Sequence, residues 1–436
     1  MTAMLDWRRV GLLGLLASAT VDHWTLTVAG LHVKPEHVVC LGLLIVAAFS
    51  SPWTSRLRGE RRLTGARALF LSMLVYLVAL LTASLLNAPD KTAALRHTAL
   101  VALVASAGPL VYWLADTPSR LRFAVRLMIG LGVLEAGLIF LVLGADLLGA
   151  SFGIQPGLGG LPVPFGTLWE ANILGSYLAA AGMLLTVMLV GRWKRRQQYL
   201  AATGLALLLA ALALSLARTA WVGFVVGAGV GVGCWVSGVG RRRSGAGKVR
   251  GLFLIGLAGL AALLFLLGPG SALFPRTVGS VFARVDPRFF SLAGDPSLNH
   301  RADTARLALD GILAHPLIGN GAGSYGDAHP ATGNLEGWIS NLELHLLYDS
   351  GVIGAGALLV GLGMLGRGAW RMLRRPSVSP EEDLRVEVIA LVGALVALLT
   401  AFQATEGTWL AFSWVYVGLL ARAVEPMAPL QAGRGS

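Results

Sequence analysis

Arg192-Trp193-Lys194-Arg195-Arg196 leads into Leu200–Leu214 (LAATGLALLLAALAL), which runs out into Ser215-Leu216-Ala217-Arg218-Thr219-Ala220-Trp221. A basic cluster, an uncharged apolar run and a short polar turn thus follow one another. The run is close to the length a helix needs to cross a bilayer, about 20 residues. Gly251–Leu267 and Val386–Phe402 are runs of the same kind, and others recur along the whole chain. A membrane β-barrel would show short alternating segments instead. The reading is an all-α polytopic membrane protein.

Composition points the same way. Of 436 residues, 55% are hydrophobic and 13% charged, with a mean hydropathy of +0.70. Soluble domains carry about 25% charged residues. Cys40 and Cys234 lie inside apolar runs and read as small core residues, since no CxxC or HExxH pattern accompanies them. The N-terminal arginines and apolar stretch could pass for a signal peptide, but no small-x-small cleavage site is convincing, and they read as a first span.

Basic clusters set the topology. They fall at Arg8-Arg9, Arg56–Arg67, Arg120–Arg126, Arg192–Arg196, Arg241–Arg250 and Arg367–Arg385. Cytoplasmic loops are enriched in Lys and Arg. Placing all six clusters inside gives about twelve spans with both termini cytoplasmic. Residues 1–267 then hold spans 1–9, residues 268–342 one large periplasmic loop, and residues 343–436 spans 10–12 and a cytoplasmic tail. The net charge of +12 is mostly a topology signal, which argues against a nucleic-acid partner.

This topology places all eight histidines in or beside outer segments. Nine of the 35 Lys and Arg also fall outside: Lys34, Lys91, Arg96, Arg218, Arg276, Arg284, Arg288, Arg301 and Arg306. Each runs against the insertion bias, so each wants an ion-pair partner or an anionic ligand. Arg218 sits in a turn too short to be a domain, with Trp221 as an interface anchor. Its guanidinium fork suits phosphate, and snorkelling to lipid headgroups is the plainer alternative.

The large loop has its own pattern. Arg301–Ala314 has apolar residues at helical spacing, with Asn299 or His300 as cap. Arg301 would then start a helix, where free N–H groups favour anions. His315-Pro316 ends that helix, and Gly319-x-Gly321-x-Gly323 follows either as a tight connection or as a backbone cradle for phosphate.

These blocks resemble the O-antigen ligase and O-antigen polymerase superfamily of bacterial membrane glycosyltransferases, of the GT-C-like kind. Ser215-x-x-Arg218 with Trp221 resembles the Ser-Arg turn before the family's main outer loop. Arg301 with His315-Pro316-Leu317-Ile318-Gly319-x-Gly321-x-Gly323 resembles the start of that loop. Ser340-Asn341-x9-Gly351-x-x-Gly354-Ala355 resembles its His-Asn/Ser/Gln-x9-Gly-x-x-Gly-Thr/Val pattern. Phe165-Gly166-Thr167 with Asn172 is a weaker match. The chain departs from the pattern at Ser340, where the family has its histidine. His345 or another loop histidine takes the role, or this subfamily needs none, or the chain is inactive.

The resemblance implies transfer of a glycan from undecaprenyl diphosphate to an acceptor sugar hydroxyl at the periplasmic face of the bacterial inner membrane. An O-antigen ligase acting on lipid A core is the first expectation, with an O-antigen polymerase or protein O-oligosaccharyltransferase as alternatives. A lipid-linked glycan transporter or flippase is the alternative of another class; Glu135, inside a span, would be its transport residue. Cations suffice to stabilise departing diphosphate. Arg218 and Arg301 are assigned that role, helped by Lys91 or Arg96. His300, Ser340 and His345 are the catalytic candidates with them. Glu170, Glu336, His300 and His345 are candidate bases for the acceptor hydroxyl. Asn172, Asn341, Gly319 and Gly321 complete the site. No metal or other cofactor is expected.

Overall fold

The computed structural model describes residues 6–28, 31–50, 65–150, 152–156, 162–191, 195–235, 296–329, 338–374 and 384–425, with isolated positions between 255 and 279. Most of the run Gly251–Leu267, the bases Arg276, Arg284 and Arg288, and Glu336 lie outside the described residues.

The first helices are α1 (Trp7–Ser18), α2 (Pro35–Phe49), α3 (Gly65–Leu86), α4 (Lys91–Ala105) and α5 (Ala107–Leu114). Then come α6 (Pro118–Leu147), α7 (Ala171–Gly191), α8 (Arg195–Leu214) and α9 (Arg218–Cys234). The later chain forms α10 (Pro296–Ala314), α11 (Ser324–Ala328), α12 (Leu342–Arg374), α13 (Arg385–Ala401) and α14 (Ala411–Val424). Two antiparallel hairpins of three-residue strands add to this, β1 (Leu26–Val28) with β2 (Leu31–Val33), and β3 (Ile154–Pro156) with β4 (Pro162–Pro164).

Six stretches of the described chain are long and apolar enough to cross a membrane: Gly65–Leu86, Lys91–Leu114, Pro118–Leu147, Ala171–Leu189, Arg196–Leu214 and Leu342–Arg374. α2, α9 and α14 are shorter apolar helices. Leu74, Val78 and Leu81 of α3 and Leu359 and Val360 of α12 are exposed. Apolar faces of this kind mark contact with lipid or a partner.

Small residues hold the helices together. Gly354 of α12 faces Ala79 of α3, and Gly361 sits where an added Cβ would be 2.8 Å from Ser72 Cβ. Gly223, Gly227 and Gly231 repeat every fourth residue on α9. A Cβ at Gly223 or Gly227 would come within 2.5 Å of the Ala397 or Gly393 carbonyl of α13, and Gly231 packs on Met183 of α7. Lipid offers no hydrophobic drive between helices, so close backbone approach through small residues supplies the packing.

Two of the basic clusters, Arg8-Arg9 and Arg120–Arg126, meet at one end of the bundle. Arg120 of α6 pairs with Asp6 at 2.9 Å, and Arg8 of α1 pairs with Asp116. Arg122 reaches Glu387 of α13 at 3.3 Å, and Arg422 of α14 donates to the Asp116 carbonyl at 2.9 Å.

Candidate active site at the opposite end

The turn Ser215–Ala217 is strained. Leu216 has φ +58° in the left-handed region, and the Ser215 hydroxyl donates to Leu212 O at 2.7 Å. The turn is buried against α7, where an added Cβ on Gly175 would meet Ser215, Ala217 and Ala220. Arg218 is the first residue of α9 and is partly buried. A cation at a helix N-terminus opposes the dipole, so an anion beside it is favourable. Trp221 is no headgroup anchor: its indole N–H donates to Leu212 O at 2.8 Å and answers a carbonyl left open at the end of α8.

The second strained residue is Ser340, with φ +59°. Leu216 and Ser340 are the non-glycine residues with positive φ among the described residues, and each lies in a block that carries the family resemblance. Such strain is held only where surrounding contacts enforce it, and it concentrates at functional sites. At Ser340 the enforcing group is Glu406, whose Oε1 accepts the Ser340 N–H at 2.8 Å and the Ile339 N–H. Asn341 caps α12, its Oδ1 accepting the Leu344 N–H at 3.0 Å. Because α12 starts after Ser340, His345 turns inward from its first turn.

His345 is buried between two carboxylates. Its Nε2 lies 2.9 Å from Asp349 Oδ2, and its Nδ1 lies 2.9 Å from Glu406 Oε1. A ring with both nitrogens faced by carboxylates presents none to an incoming hydroxyl. His345 therefore organises the site instead of supplying the exposed base expected of it. Asp349 and Glu406 were not among the candidates. Neither belongs to a motif, and Glu406 comes from the α13–α14 connection, far from Ser340 in sequence.

Glu170, just before α7, joins this cluster. Its Oε1 accepts the Thr405 hydroxyl at 3.0 Å. Burial pushes its carboxyl above the usual range; the Thr405 bond acts against that, the neighbouring Glu406 charge adds to it, and Arg301 and the Asn172 side chain lower it. Glu170, Asn172 and Arg301 are thus in one electrostatic neighbourhood.

Helix packing joins the parts. α9 lies against α13 through Gly223, whose added Cβ would reach Ala397 O and Ala401 N. α13 ends at Ala401, and the next carbonyl, of Phe402, accepts the Leu342 N–H at 3.0 Å. The starts of α7, α9 and α12 and the end of α13 therefore share one end of the bundle. Arg218, Glu170, Ser340, His345 and Glu406 are placed there.

Other expectations need correction. α10 begins at Pro296, so Arg301 is in its second turn and Asn299 and His300 are not its caps. The free N–H groups of a helix start therefore do not serve Arg301. Lys91 and Arg96 belong to α4 instead of a loop, and both are exposed. His300 is exposed, with its carbonyl accepting the Thr304 hydroxyl at 2.9 Å. Glu135 is held by Thr167, whose N–H donates to Oε1 at 2.8 Å and whose hydroxyl lies 2.8 Å from Oε2. Of the outer bases, Lys34 pairs with Asp22, and Arg306 with Asp303 at 3.4 Å.

The glycine-rich turn is a clasp. The N–H of Asn320 donates to Tyr348 O at 2.7 Å, that of Gly321 to Asp349 O at 3.0 Å, and that of Ala322 to Ser84 Oγ at 3.1 Å. Val352 and Ile353 donate to the carbonyls of Pro316 and Leu317. These bonds satisfy the α12 backbone where Gly351 (φ +62°) breaks the helix, and they leave those amides no role in cradling phosphate. Gly319 needs φ +89°, and a Cβ there would fall 2.6 Å from the Asp349 carbonyl, so only glycine fits. Gly319 and Gly321 act on the site through Asp349.

Among the described residues no group of three or more His, Cys, Asp and Glu side chains is arranged to hold a metal ion. No protein-family model matches this chain, and no curated protein does.

Proposed function

We propose that this chain is a glycosyltransferase of the inner membrane. In this reading it has about twelve spans and moves a glycan from undecaprenyl diphosphate to an acceptor sugar hydroxyl on lipid A core at the periplasmic face. The observation that carries the reading is the coincidence of two motif blocks with two strained turns, Leu216 before Arg218 and Ser340 before Asn341, at the end of the bundle that holds Glu170 and His345. Arg218 and Arg301 are the cations that would stabilise diphosphate as the glycosyl bond breaks, each by preorganised charge. Transfer by a polymerase to another lipid-linked glycan, or to a protein, uses the same groups. Flippase transport is less well supported, because the in-span carboxylate Glu135 is already bonded to Thr167.

Arg218→Ala and Arg301→Ala test it. With purified protein, lipid-linked glycan and lipid A core, each is expected to lower transfer at least about 100-fold while membrane insertion is unchanged. Wild-type rates in either variant would sink the diphosphate role. A product ladder in place of single additions would turn the assignment to a polymerase.

A further inference from the structure

Beside the buried carboxylates lies a pair of indoles. Trp338 immediately precedes Ile339 and Ser340, and Trp409 lies in the α13–α14 connection that carries Glu406. Their rings meet edge to face, with centroids 5.0 Å apart. The His345 ring lies 6.2 Å from the Trp409 ring, on the edge of the same cluster. Both tryptophans are partly exposed, while Glu406 and Asp349 beneath them are 2% and 4% exposed.

Planar polar groups border this cluster. Gln403 Nε2 donates to Glu343 Oε1 at 2.7 Å, and Asn341 Nδ2 donates to Gln403 Oε1 at 3.4 Å. Below them, Glu406 Oε2 and Asp349 Oδ1 are buried without a hydrogen-bond donor among the described residues. A buried carboxylate oxygen left without a donor is costly, so each is a place where a hydroxyl would be welcome. An indole has a broad apolar face that matches the C–H face of a pyranose, and carboxylates and amides match its hydroxyl edge. A lipid tail would use neither the carboxylates nor the amides. A phosphate would be repelled by three nearby carboxylates, those of Glu343, Asp349 and Glu406.

We propose that Trp338, Trp409 and Glu406, with Asn341 and Gln403 at the rim, form a subsite for a neutral sugar ring, the ring that carries the accepting hydroxyl. The assignment to the acceptor rests on the transfer reading above; the sugar-binding claim does not. The cations Arg218 and Arg301 then take the anionic donor, and the carboxylate-lined indole pair takes the uncharged acceptor. Glu406 holds the two halves together, since the same carboxylate fixes Ser340 through its N–H. It acts as a positioning residue for the turn and as an acceptor for a sugar hydroxyl.

Binding is read without the donor. Purified full-length protein in nanodiscs is titrated with a panel of free bacterial-surface oligosaccharides, lacking lipid and phosphate, by saturation-transfer NMR and calorimetry. At least one is expected to bind. Trp409→Ala and Trp338→Ala should each weaken it about tenfold, the equivalent of one lost ring contact. Trp409→Phe, which keeps a ring face and most of the packing, should stay within about threefold. Absence of binding by any glycan, or equal binding by wild type and both alanine variants, overturns the subsite. In transfer assays the same variants should raise the acceptor KM and leave the donor KM unchanged. If glycan binds through the tryptophans but nothing is transferred, the transfer reading falls and the sugar site stands. If transfer proceeds at an unchanged acceptor KM in both alanine variants, the subsite falls and the transfer reading stands.

Discussion

The two ends of this bundle handle charge in opposite ways. At the basic end the carboxylates of Asp6, Asp116, Glu387 and Glu425 each lie against an arginine; the ion pairs tie α1, α6 and α13 together, and Arg422 of α14 joins them by donating to the Asp116 carbonyl. At the other end Asp349 and Glu406 share one histidine, and the charge of Arg301 acts on Glu170. The first arrangement pairs its charges within the fold. Both ends bury a carboxylate oxygen without a hydrogen-bond donor among the described residues, Glu387 Oε2 at the basic end and Asp349 Oδ1 and Glu406 Oε2 at the other, but the second end puts two carboxylates on one imidazole and holds two non-glycine residues in left-handed turns. Backbone strain of that kind persists only where surrounding contacts enforce it, and it concentrates at functional sites.

Removing one carboxylate partner at each end measures this contrast. His345→Ala would leave two buried carboxylates facing each other and is expected to cost about 3 kcal/mol or more. Arg8→Ala at the basic end removes a partner whose carboxylate still has Arg120, and it should cost about 1 kcal/mol. Thermal unfolding in detergent would report both; equal losses would erase the distinction between the ends.

A pH series sharpens the comparison. Burial raises the Glu170 carboxyl, so the folded protein binds a proton there more readily than the unfolded chain does. The sign follows: this contribution to stability is fully present below the ordinary carboxylate pKa and is lost as pH rises through the raised folded value. Glu170→Gln should flatten that part of the stability profile. A variant profile that keeps the wild-type slope would assign the slope to another group.

The smallest effect belongs to Ser340. Histidine accepts the left-handed region better than most residues, so Ser340→His should change stability by less than about 1 kcal/mol, whereas β-branched Ser340→Val should cost about 1–2 kcal/mol more. The hydrogen bond from the residue 340 backbone N–H to Glu406 does not depend on the side chain and survives either change. If Ser340→His unfolds the protein while Ser340→Val does not, something other than backbone strain governs the turn.

Legibility differed with distance along the chain. Runs such as Leu200–Leu214 announced helices because hydrophobicity over a span needs no partner to be read, and α8 ends where the run does. Arg218 stood out for the same reason, as a lone cation in a short turn. The start of α10 was misplaced because a cap was read from Asn299 and His300 while the helix runs back to Pro296. The glycine-rich turn left two readings open, and only the positions of Tyr348 and Asp349 decided between them. Glu406, Thr405 and Trp409 carried no signal. They follow an apolar helix in an ordinary connection, and their meaning arises from what α7 and α12 bring beside them.

By itself the amino-acid sequence determined the helical, apolar character of the chain, because that depends on residue type summed over short windows. It also marked Arg218 and the Ser340 block. Only the tertiary structure decided which residues make the cluster: His345 buried between Asp349 and Glu406, Glu170 against Thr405, and Trp338 beside Trp409. These contacts join segments distant in sequence, and helix packing through small residues sets them at distances that no local pattern encodes.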